Sequence, residues 1–227
     1  LNFNADNFID LINTKKPRIT IIANPNMPTG TLIDKETLEK IIEATKKVSS
    51  LLVVDEAYFL FCKFTAINYI KENEHMIIVR TFSKAFGLAG LRLGYCIACP
   101  DIIKNLFLTR PIADANNIAL KTAGFALDNM DFINQHVSDF ITGREYLFDK
   151  FKENKIKTFK SENNFLLIGC RSKNNANNAI KLIRAKGYLL KGPYTFKPLV
   201  DFIRVTVGPL ELMKKFWNDC SDILIKA

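Results

Sequence analysis

With 227 residues and 48% apolar content, the chain can bury one or two cores and is too apolar to be chiefly disordered. Its formal charge of +9 comes from lysines spread along helical stretches, with no basic block longer than two, which argues against a nucleic-acid partner. No apolar run reaches membrane-spanning length, the first residues do not read as a secretory signal, and five scattered cysteines suit a reduced cytoplasmic protein.

In chain order, residues 19–23 form a short apolar strand. It runs into Asn24-Pro25-Asn26-Met27-Pro28-Thr29-Gly30, a rigid turn of two prolines and a glycine. Asp34 then caps a helix over 35–49, with Leu38, Ile41, Ile42, Thr45 and Val48 at helical spacing. Leu51 to Val54 is a buried-strand run that ends in Asp55, which completes a βαβ unit. Residues 76–80 and 94–98 are the next strands, and 101–108 and 116–130 read as helices. A long amphipathic helix spans 131–154, its inner face marked by Phe132, Gln135, Val137, Phe140 and Leu147. Strands at 156–159, 165–169, 188–191 and 202–207 follow, with helices at 176–186 and 210–226. This pattern predicts an α/β domain over 1–150 and a smaller α+β domain over 151–227, joined by the long helix.

The chemistry concentrates around Lys84. A strand runs into Thr81-Phe82-Ser83-Lys84-Ala85-Phe86-Gly87-Leu88-Ala89-Gly90-Leu91-Arg92, a small-residue loop with a hydroxyl beside a lysine and an arginine eight residues on. A lysine becomes a nucleophile when its pKa falls or an imine consumes its amine. The hydroxyl, the glycines and Arg92 suit a phosphate. Imine-forming lysine plus phosphate anchor points to pyridoxal phosphate. Asp55 lies at the carboxyl end of a parallel strand, where open α/β sheets bind ligands. An acid there can keep a pyridine nitrogen protonated. Tyr58, three residues on, can bond the ring hydroxyl. Cys96-Ile97-Ala98-Cys99 has CxxC spacing but lies in an apolar strand with no second pair and no histidine near in sequence, so no metal site is expected.

The Asn-Pro turn, Asp55-Glu56-Ala57-Tyr58 and the segment Ser83 to Tyr95 together resemble fold-type-I pyridoxal-phosphate aminotransferases of the histidinol-phosphate branch. The resemblance continues to Phe202-Ile203-Arg204-Val205-Thr206-Val207-Gly208. It implies an α/β fold with a mainly parallel sheet, helices on both faces, and a small C-terminal α+β domain. It implies a homodimer in amino-acid biosynthesis, using an amino acid and a 2-oxo acid. Lys84 carries the cofactor imine; Asp55, Tyr58, Ser83, Arg92 and Asn26 hold the cofactor; Arg204 grips the substrate α-carboxylate. Two departures stand out. Met27 occupies a position where the family usually has asparagine, and a thioether cannot donate. Lys191 stands where the family often has arginine, keeping the charge and losing the fork. The family's glycine-rich phosphate segment and ring-stacking aromatic do not precede residue 24, so the expectation is that residues 1–227 are the C-terminal two-thirds of a longer protein and a weak catalyst alone. Rival readings are a decarboxylase of a phosphorylated amino acid and a non-catalytic aminotransferase-like regulator or fragment.

Overall fold

A computed structural model describes residues 3–111 and 115–227. Leu1 and Asn2, where the sequence opens, lie outside the described residues. The chain packs as two compact units. One is Thr31–Ile133 with the segment ending at Met27; the other is Asn134–Ala227 with Pro28–Gly30.

The first unit is built on a four-stranded sheet in the order β1 (Ile19–Ala23), β2 (Leu51–Asp55), β3 (Met76–Thr81), β4 (Gly94–Ala98). The first three strands run parallel and β4 returns antiparallel, with Ala23 opposite Asp55 and Asp55 opposite Val79. Helix α1 (Ala5–Lys15) and helix α2 (Lys35–Lys47) bury Ile12, Leu38, Ile41 and Ile42 against Ile22, Leu52, Val54, Met76 and Ile78. Strand alternation explains the selection. Thr20 and Ile22 point inward, while Ile19 and Ile21 on the opposite face of β1 are exposed. Thr20 is tolerated inside because its hydroxyl meets Ser50 Oγ at 2.9 Å. Asp34 caps α2 as its spacing predicts, accepting from the Thr37 N–H at 2.8 Å. Helices α3 (Pro100–Thr109) and α4 (Asn117–Asp128) follow β4, and the helix α5 (Met130–Glu153) leads out of the unit.

In the C-terminal unit, strands β5 (Lys157–Thr158), β6 (Phe165–Gly169) and β7 (Phe202–Thr206) form an antiparallel sheet. Its inner face packs Leu166, Ile168, Ile203 and Val205 on α5, α6 (Lys173–Ala185) and α7 (Leu210–Lys226), through Leu147, Phe151, Ile183 and Phe216. The units divide at Ile133–Asn134, inside α5, because Leu147 and Phe151 of that helix already belong to the C-terminal core. Two expectations are corrected. Phe132 and Gln135 are exposed; Ile133, Val137, Leu147 and Phe151 form the buried stripe of α5. Residues 188–191 are not a strand: only Lys191 bridges, pairing with Arg204.

Candidate active site

The carboxyl ends of β1, β2 and β3 share one edge of the sheet, and the predicted site residues of the first unit follow from them. Asn24, directly after β1, is buried. Its side chain donates to the Ile33 carbonyl at 3.2 Å and accepts from the Ile33 N–H at 2.7 Å. That pair clamps the Pro25–Leu32 turn, within which the Asn26 N–H donates to the Thr31 carbonyl at 2.8 Å. Asn26 is half-buried and Met27 is exposed.

Asp55 ends β2. Its carbonyl accepts from the Asn24 N–H at 2.9 Å, and its Oδ1 accepts from the Ala57 N–H at 2.9 Å. This local turn fixes the carboxylate at the strand end and leaves its second oxygen for another donor. Tyr58 is 8% exposed, on the turn that leaves β2.

Beyond β3 the loop closes on itself. The Phe82 N–H donates to the Leu93 carbonyl at 3.1 Å, Leu88 N–H to Phe82 at 3.0 Å, and Gly87 N–H to Lys84 at 3.0 Å. Gly87 sits at φ +70, which glycine adopts without strain. Phe82 anchors the loop, with ring centroids 4.7 Å from Phe86 and 5.6 Å from Tyr95. Lys84 is thereby left exposed with its Nζ 5.3 Å from the centroid of the Tyr58 ring. Ser83 is half-buried, its N–H bonded to Thr81 Oγ1 at 3.0 Å. Arg92 takes a left-handed conformation at φ 56, and its guanidinium donates to the Ala89 carbonyl at 3.1 Å. Lys84 and Tyr58 are thus brought together, and Asp55, Ser83, Asn26 and Arg92 stand on segments leaving the same end of the sheet. This donor set fits a phosphorylated pyridine aldehyde: an exposed amine for the aldehyde, an acid for the ring nitrogen, a hydroxyl and a guanidinium for the phosphate.

Arg204 belongs to the C-terminal unit. On β7 it faces away from the helices, opposite Leu167, while its neighbours Ile203 and Val205 are core. Its guanidinium lies 4.8 Å from the Phe165 ring centroid, and its buried Nε has no hydrogen-bond partner among the described residues. Its backbone exchanges bonds with Lys191, N–H to carbonyl at 2.7 and 3.0 Å.

One feature beside the site escaped the sequence: Glu56 and Arg80 form a buried ion pair at 2.8 Å. Burial opposes the Arg80 charge, but the neighbouring Tyr95 and Glu56 side chains outweigh it and hold its pKa above the usual arginine value. The available signal was an acid just past the end of β2 and an arginine near the end of a neighbouring strand.

The family model for aminotransferase class I and II matches residues 2–218. Histidinol-phosphate aminotransferases of Ruminiclostridium cellulolyticum and Caldanaerobacter subterraneus are each 35% identical, over 211 and 226 residues, covering 92% and 99% of this chain. The chain spans 58% and 60% of their lengths. The solved histidinol-phosphate aminotransferase of Sinorhizobium meliloti, in complex with pyridoxal-5'-phosphate, superposes with a TM-score of 0.86 at 22% identity, over 97% of this chain and 61% of its own.

Proposed function

The chain belongs to the aminotransferase class I and II family, and from that premise we propose that the whole protein is a pyridoxal-phosphate-dependent aminotransferase. It moves an amino group between an amino acid, or a histidinol-phosphate-like amine, and a 2-oxo acid. The observation that carries this reading is the exposed Lys84 amine beside Tyr58, at the sheet edge where β2 ends in Asp55. When bound, pyridoxal phosphate supplies an electron sink for chemistry at the substrate Cα. Asp55 keeps a proton on the ring nitrogen. The Tyr58 hydroxyl and Asn26 orient the ring oxygen. The Ser83 hydroxyl and the Arg92 fork bind the phosphate. Lys84 Nζ would hold the cofactor through its aldehyde, and its free amine would carry a proton to and from the substrate Cα. Arg204, whose Nε lacks an acceptor among the described residues, binds the substrate α-carboxylate. A homodimer belongs to the same reading, as does a cytoplasmic location, which the five free cysteines support.

The test is to load the whole protein with pyridoxal phosphate, reduce with borohydride and map the modified peptide. A label on Lys84 is expected, and a label on another lysine overturns the assignment. With glutamate and 2-oxoglutarate as trial partners, amino transfer is expected; carbon dioxide release without it would make the protein a decarboxylase.

A further inference from the structure

Glu56 and Arg80 have no part in the roles assigned above, yet they join the two segments that matter most. The Arg80 Nε and Nη2 donate to Glu56 Oε2 at 2.9 and 2.8 Å. Nη2 also donates to Thr65 Oγ1 at 2.7 Å. The Thr65 hydroxyl lies 2.9 Å from each Glu56 oxygen, and the Ala66 N–H donates to Oε1 at 2.5 Å. Thr65 and Ala66 open a 3-10 helix over Ala66–Glu72. The guanidinium stacks 3.8 Å from the Phe59 ring centroid. Arg80 stands opposite Tyr95 in the β3–β4 pairing, and through Glu56, Thr65 and Phe59 it ties β3 to the end of β2 and to the turns beyond it.

Position makes this network specific. Glu56 follows Asp55 directly, and Arg80 precedes Lys84 by four residues. The Glu56 N–H, bonded to the Val79 carbonyl at 2.9 Å, extends the β2–β3 pairing one step past Asp55, and beyond it the β2 chain turns away from the ladder. A buried ion pair is a poor choice if cohesion is all that is needed, because desolvation often offsets the attraction and an apolar pair of like volume serves as well. What a carboxylate and a planar fork add is fixed direction.

We propose that Glu56 and Arg80 are positioning residues, which hold the exits of β2 and β3 at a set angle so that Asp55 and Lys84 address one bound cofactor. The proposal rests on the roles given above to Asp55 and Lys84. It is tested with two variants of the whole protein. The double change Glu56→Met with Arg80→Met removes both charges, so neither is left buried alone. Arg80→Lys keeps a charge and loses the fork.

In both, amide hydrogen exchange in 57–61 and 82–88 is expected to rise about tenfold with little change in α1 and α2, a local rather than a global opening. Cofactor affinity is expected to fall about tenfold, and the pH midpoint of the bound cofactor's visible absorbance to move, because the second-layer groups that set site geometry are disturbed. If the double variant keeps wild-type exchange in both segments, or opens uniformly, the pair is only cohesive and the proposal fails. Raised local exchange with unchanged cofactor binding also overturns it. A wild-type protein that fixes no cofactor on Lys84 instead defeats the functional reading. The exchange measurement, which needs no cofactor, then still decides whether the pair holds the two exits.

Discussion

Gly143 and Gly124 are both helical glycines, on α5 and α4, and the sequence treats them alike. On helix propensity, replacing either by alanine stabilises by roughly 0.5–1 kcal/mol. The structure separates them. A Cβ on Gly124 meets nothing within 4 Å. A Cβ on Gly143 would stand 2.0 Å from the Gly208 carbonyl oxygen and 3.0 Å from Met213 Cγ. That oxygen is backbone between β7 and α7, so relief requires moving the start of α7, whose Met213, Phe216, Cys220 and Leu224 are all buried. Overpacking a tight core costs about 1–3 kcal/mol. Net of the propensity gain, Gly143→Ala is expected to destabilise by up to about 2.5 kcal/mol, using that range and the propensity scale. Gly124→Ala is expected to stabilise by up to about 1 kcal/mol. Urea unfolding separates the two. Trp217, the sole tryptophan, packs on the core of the unit that contains Gly143 and reports it by fluorescence, while circular dichroism follows both units. Opposite shifts in midpoint with unchanged slope are expected. If Gly143→Ala raises the midpoint as much as Gly124→Ala does, the close approach of α5 to Gly208 is wrong.

Arg204→Lys is expected to raise the KM for the amino-acid substrate about tenfold, since a charge-assisted forked contact contributes roughly 1.5–3 kcal/mol; equal losses in cofactor affinity would make Arg204 part of the scaffold. His75, whose Nε2 lies 3.2 Å from Thr45 Oγ1 and 3.3 Å from the Ile42 carbonyl, is held below its ordinary pKa of 6.5 chiefly by burial. The unfolded chain therefore takes up the proton more readily, so stability from this group is full above pH 6.5 and declines as pH falls below it. His75→Gln is expected to flatten that acid-side slope in urea midpoints measured from pH 7 downward, and an unchanged slope in the variant refutes the assignment.

The parts of the fold that were legible are those where one local signal suffices. Four apolar residues before Asp55 specify a buried strand whichever neighbours it finds, and Asp34 caps α2 through a bond three residues away. Residues 188–191 read as a strand from Leu189 and Leu190, but Gly192, at φ +126, has its open Cβ position 2.9 Å from the Phe202 carbonyl oxygen, and the segment passes β7 with only Lys191 and Arg204 pairing. Sequence shows apolar content there, not the angle at which the chain crosses its neighbour. Phe132 misled for a related reason. It satisfies a helical period, but the phase of α5 is set by Ile133, Val137, Leu147 and Phe151, and only packing decides between two faces with comparable apolar content.

The candidate site divides in the same way. Lys84, Ser83 and Arg92 lie within ten residues, and Asp55 and Tyr58 within four, so their chemistry can be read along the chain. The Glu56–Arg80 pair cannot, because 24 residues separate its members and their meeting depends on β2 and β3 being adjacent, parallel and in one register. A one-residue slip would turn Arg80 to the other face and leave Glu56 buried without its cation. The pair therefore ties register to site geometry. The alignment that lets Glu56 meet Arg80 is the same alignment that sets Asp55 opposite Val79, five residues before Lys84.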